Sequence, residues 1–316
     1  MSMHHVPRKI FCFWHDKENV PPFVLRCIKN IQRLHRGRGW TVTVLSDEDL
    51  PSRIERPDIW ELGAQHRADW MRIQKLREHG GIWLDATCIL YRPVDEWLPF
   101  GTKAVVMGYA YPHCHGARIL ENWLLFAPSG SPFIAEWCSE FDKVVKVGLG
   151  KYVADIGDAG GLPPPGLALP YHAMHVAGWV VMQRHPEWIY DIRDAVPVGP
   201  LGSLAACGYP WDDQRKGCIE HFIRGTTLRD ECGDTMTKLC CGLADVIQDA
   251  WQQGAVHRDN QIAQQLRLFP QRQPYELYLA LIVVTCAAIA SGRIVLMGLV
   301  IAILVYLICT RLTDAD

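Results

Sequence analysis

Three charged side chains in residues 67–87 have types and spacing that could do chemistry together: an arginine suited to phosphate and two acids suited to hydroxyls, an ion pair or a metal. Asp69 and Arg72 are three apart, hence on one face of a helix, and Asp85 directly follows the apolar triplet Ile82-Trp83-Leu84. An arginine fork is suited to phosphate, and Asp69 to a sugar hydroxyl or to the guanidinium itself. A carboxylate ending a buried strand is costly unless it faces a cleft, an ion pair or a metal. The next polar side chain, Thr87, is a hydroxyl rather than a second acid.

The elements that must position these groups alternate. Residues 8–14 form a short apolar run ending at Trp14, an indole able to stack on a planar base or simply pack. Helical spacing follows from Phe23 to about Gly37, then a β-branched strand at 40–46. A second helix is predicted from about His66 to His79, closed by Gly80-Gly81, and "IWLD" is the third strand. This β-α-β-α-β order argues for a parallel sheet with helices on both faces. Further strands are predicted at 104–110 and 123–129, and helices at 133–147, 172–184 and 235–251. A Gly/Pro-rich segment, 157–170, reads as a connector or a lid.

Bulk charge names no partner. With 32 basic and 34 acidic side chains, interspersed, nothing argues for nucleic acid. The twelve cysteines include no C-x-x-C pair, which disfavours a zinc ribbon, and most read as reduced core thiols. His113-Cys114-His115 has metal-binding residue types, but three consecutive residues rarely converge on one ion.

Tyr278 to Thr310 is nearly all apolar, broken at Ala290–Arg293. One helix over that stretch would be about 50 Å long, more than a hydrocarbon core of roughly 30 Å. Two helices, about 277–291 and 294–310, or a single span over the second half, both fit. The expected organisation is a domain over 1–270 and a C-terminal membrane anchor over 271–316. The N-terminus has no signal-peptide h-region, and none of the four asparagines lies in an N-x-[ST] sequon. Arg267 and Arg272 flank the apolar segment. These features favour the cytosolic face, with the Golgi lumen as the alternative.

In order, the run R-x-D-x-x-R-x-x-x-L-x-x-x-G-G-I-W-L-D-A-T from Arg67 to Thr87 resembles the signature of glycosyltransferase family 32 and the capsular polysaccharide synthesis group. "VPRKIFCFWHDKENVPP", "ENWLLFAPSGSPFIAEW" and "YHAMHVAGWVV" are similar to that family's opening strand, its N-W-F-x-x-A segment and a later helix. Coverage is roughly residues 7–250. The resemblance implies a GT-A type nucleotide-sugar-binding, Rossmann-like α/β domain that transfers a hexose with retention. Its partners would be a nucleotide-sugar donor, a glycan or lipid-linked acceptor and the membrane. Carried over by position, Trp14 would stack on the base, Asp69 hold the ribose or sugar, Arg72 contact the diphosphate or sugar, and Asn122 face the donor or acceptor. Asp85 would be the first acid of a DXD motif binding Mn²⁺ or Mg²⁺.

Thr87 departs from that motif, in a D-A-T variant associated with the capsular-synthesis branch. A hydroxyl is a poor ligand, so the ion would need water or a later side chain. His172 and His175 are candidates, as are Asp212-Asp213, and Lys238 is a candidate phosphate contact. Two other readings are a catalytically silent sugar-nucleotide-binding membrane scaffold and a metal-dependent phosphohydrolase.

Overall fold

The computed structural model describes residues 4–98, 101–112, 118–158, 170–196, 199–201, 235–239, 242–256 and 260–269. Two compact units are distinguished, Met1–Leu268 and Phe269–Asp316. The predicted spans at 277–291 and 294–310, like His113-Cys114-His115 and Asp212-Asp213, lie outside the described residues. Among the described residues no helix is long and apolar enough to cross a membrane.

The strands are β1 (His4–His5), β2 (Lys9–Phe13), β3 (Thr41–Leu45), β4 (Gly81–Leu84), β5 (Cys88–Leu90), β6 (Gly101–Thr102), β7 (Val106–Pro112), β8 (Arg118–Ala127), β9 (Tyr190–Asp194) and β10 (Met236–Lys238). The helices are α1 (Pro22–His35), α2 (Pro57–Trp60), α3 (Ala64–His79), α4 (Pro132–Val147), α5 (Leu149–Asp158), α6 (Ala173–Arg184), α7 (Leu243–Gln252) and α8 (Gln261–Gln265).

A six-stranded sheet in the order β3-β2-β4-β8-β7-β9 forms the centre. β2 runs parallel to β3 and β4, and β7 parallel to β9, while β8 is antiparallel to both its neighbours. The three strands of the predicted β-α-β-α-β unit are parallel as expected, and β8 makes the sheet as a whole mixed. The reason is chain length: β7 ends at Pro112 and β8 starts at Arg118, too short a connection for a parallel crossover.

Strand alternation loads both faces. Phe11, Phe13, Trp83 and Leu125 join one core cluster with Ile73 and Leu76 of α3, Trp137 and Phe141 of α4, and Val176 and Val181 of α6. Ile10, Cys12, Ile82 and Leu84 are equally buried on the opposite side of their strands. Cys12, Cys27, Cys88 and Cys138 are free and buried, and burial pushes the Cys12 and Cys88 thiols up to about 12.

The glycine pair is required by geometry. Gly80 caps α3 with its N–H on the Leu76 carbonyl, and Gly81 opens β4 at φ +102. A Cβ at Gly81 would lie 2.6 Å from the Lys9 carbonyl oxygen on β2. The α3-to-β4 turn therefore passes so close to β2 that no side chain fits.

The predicted helix over 235–251 is also corrected. Residues 236–238 form β10, antiparallel to β5 with Met236 opposite Leu90 and Lys238 opposite Cys88, and the helix starts at Leu243. All three β10 residues are buried, so tertiary pairing overrides the local helical pattern.

Candidate active site

Asp69, Arg72, Asp85, Thr87, Asn122 and Trp14 line one cleft of about 350 Å³. It lies beyond the carboxyl ends of β2 and β4, where open α/β sheets receive ligands. Trp14 follows the last residue of β2, its N–H on the Leu45 carbonyl at 2.9 Å. Asp85 follows β4 and takes a backbone bond to the Trp123 carbonyl of β8 at 2.9 Å. Asp69 and Arg72 descend from α3, and Asn122 comes from β8. Tyr171, Gln65 and His15 also line the cleft; His15 and Tyr171 fall within the segments quoted for the family resemblance, but no role followed for them from the sequence.

The charged groups form a continuous chain. Arg72 donates through Nη1 to Asp69 Oδ1 and through Nη2 to Asp85 Oδ1, the latter at 2.9 Å. Its guanidinium also lies 5.0 Å from the centre of the Trp83 ring, within cation–π range. Asn122 Nδ2 donates to Asp69 Oδ1 at 2.9 Å, and His66 Nδ1 is 3.1 Å from Asp69 Oδ2. Both Asp69 and Arg72 are buried, so the i, i+3 pair is no surface ion pair.

Asp85 is more exposed, its side chain retaining 25% of its accessible surface. Trp83 Nε1 donates to Oδ1 at 2.9 Å, and Lys238 Nζ donates to Oδ2 at 2.8 Å. Burial raises the Asp85 carboxyl pKa, but the Lys238 ammonium and the Arg72 guanidinium outweigh it. Together with the bonds from Lys238 and Trp83, they hold the group well below the usual carboxylate range. Asp85 is an anion at every physiological pH.

Lys238 also donates to Thr87 Oγ1 at 2.9 Å, and Thr87 in turn donates to the Leu239 carbonyl at 2.9 Å. The ladder between β5 and β10 fixes this lysine, helped by Tyr91 Oη and Thr237 Oγ1 at 2.6 Å. Asn30 of α1 holds β5 from behind, accepting from Leu90 N at 2.9 Å and donating to its carbonyl at 3.2 Å.

These residues do not fit a resident Mn²⁺ or Mg²⁺. Such ions take oxygen ligands at about 2.1 Å in near-octahedral array. Here an ammonium already occupies the space between Asp85 and Thr87, and three donors engage the Asp85 carboxylate. The hydroxyl of Thr87 is engaged as both acceptor and donor. His175 Nε2 lies 3.6 Å from Glu121 Oε2, and the His172 ring packs edge-on against His175 at 5.6 Å. From that turn it is Tyr171 that lines the cleft. No group of three or more His, Cys, Asp or Glu suited to a metal occurs among the described residues.

Two buried donors on the cleft wall, Trp14 Nε1 and Arg72 Nε, have no hydrogen-bond acceptor among the described residues. Leaving such groups unpaired costs roughly 1–3 kcal/mol each, a cost that ligand oxygens would offset. Arg72 and these donors, with the Lys238 ammonium behind Asp85 and Thr87, suit an anionic, oxygen-rich ligand with a flat aromatic part.

Residues 2–141 match the family described as capsular polysaccharide synthesis protein. The O-glycosyltransferase braB of Annulohypoxylon truncatum is 28% identical over 163 residues, 43% of this chain and 37% of that protein. The O-glycosyltransferase PaGT of Phomopsis amygdali is 33% identical over 107 residues, 28% of this chain and 26% of that protein. The chain thus spans 37% and 26% of the length of these two relatives. Among solved structures, a glycosyltransferase involved in glycosylation of the major capsid of PBCV-1 aligns with a TM-score of 0.43 at 10% identity, covering 76% of this chain and 98% of that one. PaToxG glycosyltransferase aligns with a TM-score of 0.37 at 12% identity, covering 79% and 87%.

Proposed function

From the place of residues 2–141 in the capsular polysaccharide synthesis family, we propose that this chain is a family 32-like glycosyltransferase moving a hexose from a nucleotide-sugar donor to a hydroxyl acceptor. The observation that carries the reading is the Asp69–Arg72–Asp85 chain of ion pairs on the wall of the cleft, with Trp14 and Asn122 beside it. The indole of Trp14 supplies a stacking face for the base. Arg72 draws the diphosphate, and Asp69, oriented by Asn122 and His66, accepts from sugar or ribose hydroxyls.

When the sugar leaves its phosphate, negative charge grows on the bridging oxygen. Fixed cations at that point lower the barrier because they need no reorganisation. Asp85 keeps Arg72 aimed at the site, and Trp83 packs beneath the guanidinium. Transfer with retention of anomeric configuration, a glycan or lipid-linked acceptor, and tethering through 277–310 with the domain on the cytosolic face belong to the same proposal.

Thermal-shift titration of the full chain with a panel of nucleotide sugars tests donor recognition. One nucleotide family is expected to raise Tm in the wild type and to lose that effect in Asp69→Asn. No shift from any donor would count against the reading. Protease protection on intact membranes tests the anchor and its side, and a domain degraded only after detergent would contradict the cytosolic placement.

A further inference from the structure

Lys238 Nζ sits 2.8 Å from Asp85 Oδ2 and 2.9 Å from Thr87 Oγ1. A divalent ion shared by the first and third positions of a D-x-D turn would occupy the same place. We propose that the Lys238 ammonium does the ion's work in this chain. With Arg72 it holds the donor diphosphate and takes up the charge of the departing nucleoside diphosphate, and no metal is required. This rests on the reading of the cleft as a nucleotide-sugar site.

Three observations converge on it. The first is charge: one acid of the pair is replaced by Thr87, and a single ammonium matches the remaining carboxylate as a divalent ion matches two. The second is placement. Lys238 is delivered from a strand paired residue for residue with β5, and its own N–H is bound to the Pro200 carbonyl at 2.8 Å. The third is ligand occupancy, since the oxygens an ion would need already accept from Lys238, Arg72 and Trp83. Both side chains that hold Nζ, Asp85 and Thr87, line the cleft, which places the buried ammonium directly behind its wall.

In the step itself, the bond between sugar C1 and the β-phosphate oxygen breaks with its electron pair passing to that oxygen. The acceptor oxygen bonds to C1, and its proton ends on the released diphosphate or on solvent. Lys238 and Arg72 donate to the phosphate oxygens throughout and change no bond.

The test is calorimetric titration of the full chain with UDP and GDP, and with uridine and guanosine, in EDTA and in Mn²⁺. The wild type is expected to bind one diphosphate with a Kd that differs by less than about twofold between the two buffers. Lys238→Met is expected to weaken diphosphate binding by roughly tenfold or more, the loss of one charge-assisted bond, and to leave the matching nucleoside unchanged. Binding seen only with Mn²⁺, or a Lys238→Met variant that binds diphosphate like the wild type, overturns the role of Lys238 alone. Failure of both diphosphates in both buffers overturns the nucleotide-sugar reading and this proposal with it. Should Lys238→Met not fold, the two-buffer comparison on the wild type decides.

Discussion

Arg72 Nη2 donates to Asp85 Oδ1 at 2.9 Å, tying the middle of α3 to the end of β4, while Nη1 of the same guanidinium serves Asp69. A single planar fork thus holds a buried carboxylate, Asp69, and a part-exposed one, Asp85, that belong to different elements. Lysine keeps the charge but loses the fork, whose two nitrogens each reach one of the acids. Arg72→Lys is therefore expected to lower kcat/KM by roughly a hundredfold with the fold retained. Arg72→Ala, leaving both acids without their shared partner, should cost about 3–5 kcal/mol of stability. Steady-state kinetics and denaturant unfolding separate the two effects, and a Lys variant of near wild-type activity would contradict the bridging role.

Asn122 donates to Asp69 from 2.9 Å. Asn122→Asp replaces that donor with a second carboxylate, and two acids at this distance cannot both ionise cheaply, so the pKa of one is raised. A raised acid destabilises the native state at neutral pH and ceases to do so once it is protonated. The Tm deficit of the variant should therefore shrink as pH falls from 7 toward 4. A deficit independent of pH would indicate a lost hydrogen bond alone.

Away from the cleft, Glu140 of α4 is buried and accepts from Arg184 Nη1 at 2.6 Å, Tyr152 Oη at 2.6 Å and Lys143 Nζ at 2.8 Å, joining α4, α5 and α6. Burial raises its pKa, but the bonds from Arg184, Lys143 and Tyr152 prevail and bring it from 4.5 down to about 2. A depressed acid contributes stability that is full above the unfolded value and lost as pH falls through the folded one. Glu140→Gln should cost on the order of 3 kcal/mol above pH 4.5, with the gap to wild type closing toward pH 2. Urea unfolding across that range checks it, and a constant gap would show that shape rather than charge holds the cluster.

Gly81 and Gly37 both have positive φ, +102 and +72, yet only Gly81 has backbone within 4 Å of where a Cβ would stand. Gly37→Ala is expected to cost about 1 kcal/mol, the strain of the left-handed region alone. Gly81→Ala adds collision with the Lys9 carbonyl and should cost several times as much, separating β4 from β2 at the amino ends of the two strands. Equal Tm losses in the two variants would contradict the close approach.

Much of the site was legible because its signals are local. The i, i+3 spacing of Asp69 and Arg72, the glycine pair, and an acid after an apolar strand each reflect one element's geometry. Asp85 at the end of β4 follows directly from them. Lys238 lies 153 residues from Asp85, on a three-residue strand, Met236-Thr237-Lys238, too short for its sequence to tell strand from helix. Only its pairing with β5 turns a remote lysine into a partner of Asp85 and Thr87. The reversal of β8 was likewise hidden, since it depends on how β7 and β8 connect rather than on the pattern within either. Thr87 could be recognised as a departure from an acid pair, but its consequence needed the ammonium beside it.

Binding that survives EDTA is expected here of an active enzyme as much as of a silent binder, so the product must decide. The most direct measurement is mass spectrometry of sugar released or transferred from nucleotide-sugar donors by the full chain, in EDTA, for wild type and Asp85→Asn. Asp85→Asn keeps the shape but removes the charge that aims Arg72 and Lys238. The wild type is expected to give a glycoside or free hexose together with nucleoside diphosphate, and the variant to lose roughly a hundredfold or more. Donor binding without turnover by the wild type, or equal turnover by both proteins, would contradict it.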